Sequence, residues 1–223
     1  MSSRMRTFEH NRKPYLPAAG HNWFLPLYDP LVRLLGGEPA RRELLNQADV
    51  RPRQRILDIG CGTGTFAVLI KRLHPQVEVL GLDPDSKALA RARAKADRAG
   101  VSVHLDQGYS DELPYEDNSF NRVFSSFMFH HLEDADKEKT LREVKRVLKP
   151  DGSLHLLDFA GTDSDRGGLL GRLIHSSNHL KDNTETQIVG LMKRTGFSGA
   201  QKVADGRMLF GLLRTAYFRA LAP

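Results

Sequence analysis

Three glycines, Gly60, Gly62 and Gly64, stand at every second position behind an apolar run that carries one carboxylate, Ile56-Leu57-Asp58-Ile59. Residues of these types at this spacing could cradle a nucleoside. Glycine lets the backbone turn sharply and lets a ligand approach main-chain N–H groups with no Cβ in the way. A second carboxylate, Asp83, closes the next apolar run, Val77-Glu78-Val79-Leu80-Gly81-Leu82. Both ribose hydroxyls of an adenosine can donate to one planar acceptor of this kind. Asp83 also precedes Pro84-Asp85-Ser86, a capping sequence, so helix capping is the competing reading. The spacing discriminates between cofactors as well. A dinucleotide loop, G-x-G-x-x-G, needs its third glycine at position 65, where Thr65 stands.

A loop of this kind needs a strand before it and a helix after it. The apolar run before Gly60 reads as the strand, and Phe66-Ala67-Val68-Leu69-Ile70 as the start of the helix. Residues 77–83 form a second strand, and a helix over 86–99 stops at Gly100. Residues 101–105 and 122–126 read as the third and fourth strands. A helix over 137–148 ends in the turn Lys149-Pro150-Asp151-Gly152, which launches a fifth strand over 153–159. A helix over 186–194 and strand-like runs at 200–203 and 207–218 complete the pattern. Strands alternating with helices in this rhythm predict an α/β fold, a Rossmann-like, doubly wound, mostly parallel sheet of seven strands. Residues 1–50 carry Trp23, Phe24, Leu25, Leu27, Tyr28 and Leu31 and read as an N-terminal helical cap, with a helix over 39–45. Residues 51–223 read as one globular unit with an insert at 161–183.

Composition narrows the class. A chain of 223 residues can bury a full core in one domain. One cysteine excludes a disulfide framework and a cysteine-rich zinc site. No apolar run approaches the roughly 20 residues of a membrane span, and the start of the sequence lacks the apolar core of a secretory signal. A cytoplasmic protein is the expectation. The net charge of +6 sits largely on Lys87, Arg91, Arg93, Lys95 and Arg98, which read as one solvated helix face. No aromatic residues interleave with them for base stacking, so no nucleic-acid partner is expected.

Further motifs follow in order: Gln107-Gly108-Tyr109-Ser110-Asp111, then Phe124-Ser125-Ser126-Phe127-Met128-Phe129-His130-His131-Leu132, then Leu148-Lys149-Pro150-Asp151-Gly152. Together with Asp58-x-Gly60-x-Gly62-x-Gly64, they resemble over residues 53–160 the class I S-adenosylmethionine (SAM) dependent methyltransferases. The similarity is to the ubiquinone/menaquinone-biosynthesis-like branch, often grouped as the methyltransferase-11 type. The resemblance implies SAM as cofactor and S-adenosylhomocysteine (SAH) as product. It assigns the cofactor to Asp58, Gly60, Gly62, Thr63 and Gly64 of the loop, Asp83 and Pro84, Gly108 and Tyr109, Ser126, and Tyr28 of the extension. Tyr109 stands where family members often carry an acid for the adenine amino group; its ring could stack on the adenine, or its hydroxyl could accept. Asn121 replaces a usual Asp before the fourth strand, with little effect expected.

The resemblance also places the transferred methyl near the ends of the fourth and fifth strands, beside His130, His131 and Asp158. Similar sugar O-methyltransferases place a histidine and an aspartate there to serve a hydroxyl acceptor. A histidine suits that task because its ordinary pKa, about 6.5, makes it a base near neutrality. One histidine of the pair is expected to pack structurally, His131 rather than His130, and Asp158 is a second candidate base. Adjacent side chains diverge and no third ligand adjoins them, so no metal is expected. Cys61 reads as a small buried filler. His175 and His179 of the insert could line an acceptor pocket or an exposed helix face. The aromatic extension suits a small, partly apolar acceptor such as a quinone, a lipid or a natural product, methylated at oxygen or carbon. Phe210, Tyr217 and Phe218 with Arg214 and Arg219 leave a peripheral membrane contact open, against an edge strand. The alternatives are methylation of RNA or protein, an NAD(P)-dependent oxidoreductase, and a non-catalytic SAM-binding protein.

Overall fold

The structure, a computed structural model, describes residues 36–160, 184–211 and 213–223. Most of the aromatic extension, with Tyr28, and the 161–183 insert, with His175 and His179, lie outside the described residues. The chain order is α1 (Gly37–Asn46), β1 (Arg55–Ile59), α2 (Thr65–Leu73), β2 (Glu78–Asp83), α3 (Ser86–Ala99), β3 (His104–Gln107) and β4 (Phe120–Ser126). A 3₁₀ turn (Phe129–His131), α4 (Asp134–Val147), β5 (Leu148–Phe159), α5 (Glu185–Arg194), β6 (Ser198–Met208) and β7 (Leu213–Leu221) follow.

These strands form one seven-stranded sheet in the order β3-β2-β1-β4-β5-β7-β6. The first five pair in parallel, and β7 runs antiparallel between β5 and β6. The order reverses between β1 and β4, which is where a doubly wound sheet opens a crevice at the carboxyl ends of its strands. Alternation along each strand divides the core in two. Leu57, Ile59, Leu154 and Leu156 pack toward α4 and α5, with Val144, Ile188 and Met192. Ile56, Phe124 and Leu157 pack on the other face with Leu44 of α1, Phe66 and Ile70 of α2, and Leu89 and Ala92 of α3.

Local sequence explains the helix ends. The Asp85 side chain accepts from the Lys87 amide at the start of α3, and Thr184 with Gln187 forms a capping box on α5. Such caps contribute about 1 kcal/mol each. Helix α4 begins at Asp134, three residues earlier than the apolar pattern predicts, because Asp134 and Asp136 complement the positive end of its dipole and Lys145 and Arg146 the negative end.

Other boundaries shift too. Strand β3 starts at His104, where pairing with Leu80 of β2 begins, so residues 101–103 only lead into it. Strand β5 absorbs the predicted turn as an irregularity in its pairing with β4, with Asp151 at φ 63°. The break between the last two strands falls at Leu209–Gly211, not near Gly206. Gly206 lies inside β6 because a Cβ there would come within 2.4 Å of Thr215 Oγ1 on β7. Tyr217 and Phe218 are buried in β7, an internal strand, which removes them from any membrane-facing or edge role.

Candidate active site

Above the carboxyl ends of β1, β2 and β4 lies a cavity of about 380 Å³. Its floor is the glycine loop. Gly60 adopts φ +65° and packs so closely on Met128 that a Cβ would come within 2.3 Å of Met128 Cγ. At Gly62, φ +52°, a Cβ would meet nothing within 4 Å, so the backbone faces open space large enough for a ligand. The Asp83 carboxylate closes the wall on the β2 side. Its Oδ2 accepts the Gly62 amide at 2.8 Å and its Oδ1 the Asp85 amide at 2.9 Å. Burial raises its pKa to about 6, with the two amides opposing that shift. Asp83 therefore fixes the loop and begins the turn into α3 while each oxygen keeps a lone pair for a hydroxyl.

The structure brings most of the sequence-derived cofactor residues together. Gly60, Gly62, Thr63, Asp83, Pro84, Gly108, Tyr109 and Ser126 all line the cavity. Gly64 instead caps α2. Asp58 lies behind the loop rather than in the lining, 1% exposed, with no hydrogen-bond partner for either oxygen among the described residues. Burial pushes its pKa up to about 7, with Arg41 pulling against that shift and Asp83 adding to it. The Ala67 amide acts on it electrostatically without reaching hydrogen-bond geometry. Lys95 is not part of a free solvated face, since its Nζ reaches Thr65 Oγ1 at 2.5 Å and Thr63 Oγ1 at 3.1 Å.

His130 is held by the chain through its ring: Nδ1 lies 2.5 Å from Asp158 Oδ1. Asp158 Oδ2 accepts the His130 amide at 2.8 Å, and Oδ1 also accepts the Phe159 amide at 2.8 Å. With Asp158 fully buried and both oxygens engaged, it is no independent base. The carboxylate instead assigns the Nδ1–H tautomer to His130, leaving Nε2 with the lone pair. The His130 ring lies 4.0 Å, centroid to centroid, from that of His131, and His131 is the one lining the cavity. The 3₁₀ turn that carries both rings follows Phe127, a non-glycine residue at φ 56° whose amide is fixed to Leu157 O. Backbone held in that region costs about 1–3 kcal/mol and is a recurrent property of functional sites.

Sequence reasoning missed Arg41. Its Nε donates to Ser126 Oγ at 3.3 Å, its guanidinium lies 5.4 Å from the Phe127 ring centroid, and it lines the cavity. The available signal was a cation on the helical face that holds Ala40, Leu44 and Leu45. The arrangement fits an adenosine carrying an amino-acid tail: open space over Gly62, an acceptor at Asp83 for the ribose, and the Arg41 cation at the cavity wall.

Comparison with known proteins agrees. A family model described as a methyltransferase domain matches residues 56–152. The demethylmenaquinone methyltransferase of Thermus thermophilus is 38% identical over 151 residues, covering 66% of this chain and 68% of the relative. That of Deinococcus radiodurans is also 38% identical over 151 residues, and there the chain spans 62% of the relative's length. Among solved structures, Haemonchus contortus phosphoethanolamine N-methyltransferase 2 in complex with S-adenosyl-L-methionine superposes with a TM-score of 0.73 at 20% identity, over 92% of this chain and 58% of that one. The chain belongs to the class I SAM-dependent methyltransferases and resembles their ubiquinone/menaquinone-biosynthesis branch.

Proposed function

We propose that the protein methylates a hydroxyl-bearing, partly apolar small molecule, with His130 as general base and Asp158 as the residue that positions it. The observation carrying this reading is the 2.5 Å contact between His130 Nδ1 and a fully buried, fully engaged carboxylate. Bound SAM supplies a methyl group already activated by its sulfonium centre. The chain's own residues hold the acceptor and receive its proton. The hydroxyl proton passes to Nε2 of His130, the oxygen takes the methyl as the methyl–sulfur bond breaks, and the Asp158 carboxylate stabilises the resulting imidazolium. Phe127, Met128 and Leu132 supply an apolar wall for the acceptor. The single buried Cys61 suits the reducing cytoplasm to which we assign the protein.

A second reading, methylation at a ring carbon, is favoured by the relatives named demethylmenaquinone methyltransferase. Removing a proton from a hydroquinone hydroxyl serves both outcomes. The test is transfer of a labelled methyl from SAM to a panel of phenols, sugars and hydroquinones, with the product's bond identified by NMR. Turnover that falls about 100-fold or more in His130→Ala supports the reading. Turnover that survives the substitution overturns the base assignment.

A further inference from the structure

Arg41 is a buried cation with most of its hydrogen-bonding capacity unspent. It is 8% exposed, and beyond the Nε bond to Ser126 its Nη atoms have no hydrogen-bond partner among the described residues. A guanidinium taken out of water without a carboxylate across from it is costly. It is also the only lysine or arginine among the described residues that line the cavity, whose other charged lining groups are carboxylates such as Asp83, Asp111, Glu133 and Asp136.

We propose that Arg41 is the carboxylate-binding residue of this cavity, its forked guanidinium taking the α-carboxylate at the amino-acid end of SAM and SAH. The assignment rests on the methyl-donor reading above. Three observations favour it. The planar fork matches a carboxylate in bidentate geometry. Ser126 Oγ, which accepts from Arg41 Nε at 3.3 Å, and the Phe127 ring, 5.4 Å from the guanidinium, both line the cavity and hold the fork at its wall. The four lining carboxylates named above repel an anion placed elsewhere in the cavity.

The fold holds Arg41 in place from the far end of the chain. The buried Tyr217 hydroxyl of β7 donates to the Ala40 carbonyl at 3.2 Å, one residue before Arg41. Neither residue falls within the 56–152 methyltransferase match, so elements outside that segment complete the site. Tyr217 is accordingly a positioning residue for Arg41.

Isothermal calorimetry with SAH and with 5′-methylthioadenosine, which keeps the thioadenosine and lacks the amino-acid end, tests this. Arg41→Met is expected to weaken SAH about 10–100-fold and methylthioadenosine by less than about threefold. Arg41→Lys should recover part of the loss, and Tyr217→Phe should show a smaller loss with the same preference between ligands. Melting curves of each variant establish that it is folded. Equal weakening of both ligands, or undiminished SAH binding in folded Arg41→Met, would overturn the assignment while leaving the donor reading intact. Wild-type protein that binds neither ligand would overturn both.

Discussion

Asp83 and Gly62, separated by 21 positions in sequence, are joined by a 2.8 Å hydrogen bond from the Gly62 amide to Asp83 Oδ2. One carboxylate thus fixes the glycine loop while lining the cavity above it. Asp83→Ala leaves the Gly62 and Asp85 amides without their acceptor, a cost of about 1–3 kcal/mol per buried group. We expect a melting temperature lower by several degrees and SAH affinity reduced at least about 10-fold. Calorimetric melting and titration on the same preparation check both; unchanged affinity would remove Asp83 from the site.

Stability of the ligand-free protein should fall as pH rises. The folded chain holds the Asp58 proton to about pH 7 against an ordinary value of 3.8, and the Asp83 proton to about pH 6. The folded state therefore binds more protons than the unfolded chain between pH 4 and 7. Stability is greatest at the acidic end of that window and declines through it, by an amount on the order of 4 kcal/mol for Asp58. Asp58→Asn should flatten the melting-temperature profile between pH 5 and 8. A profile as steep as wild type would place the titration elsewhere.

Asp158→Asn preserves shape and removes the charge that sets the His130 tautomer. Turnover is expected to drop about 100- to 10,000-fold with SAH affinity nearly unchanged. A proportional loss of cofactor affinity would instead point to collapse of the β5 end.

Gly206→Ala introduces a Cβ 2.4 Å from Thr215 Oγ1 and 2.9 Å from Tyr217 Cε2. Overpacking of this kind costs about 1–3 kcal/mol, or roughly 2–4 °C per kcal/mol in a chain of this size. Thermal denaturation measures it, and an unaltered midpoint would show that β6 and β7 can separate locally without penalty.

The glycine loop and Asp83 were legible in the sequence because backbone conformation dictates them: the turn needs glycines at fixed intervals, and the carboxylate must end a strand. The parallel order followed from alternating strands and helices. The expectation that His131 rather than His130 packs structurally missed the His130–Asp158 contact, because the 3₁₀ turn alone decides which ring meets Asp158 and which meets the cavity. Arg41 was hidden for a similar reason. Its importance depends on where α1 docks, and that is set by Tyr217 far along the chain. The two strand-like runs were separated at 204–206, where Gly206 stands, because a glycine that ends a strand and one that admits a close neighbour look alike in sequence.

The placement of β7 between β5 and β6 has a consequence for synthesis. Strand β6 leaves the ribosome first yet has no place in the sheet until β7 has emerged, reversed direction and paired with β5. During that interval the exposed rim of β5 and the whole of β6 present unpaired amides and carbonyls to the cell. The nascent chain is then most open to chaperones and to misassociation, and a translational pause before residue 213 would prolong its exposure.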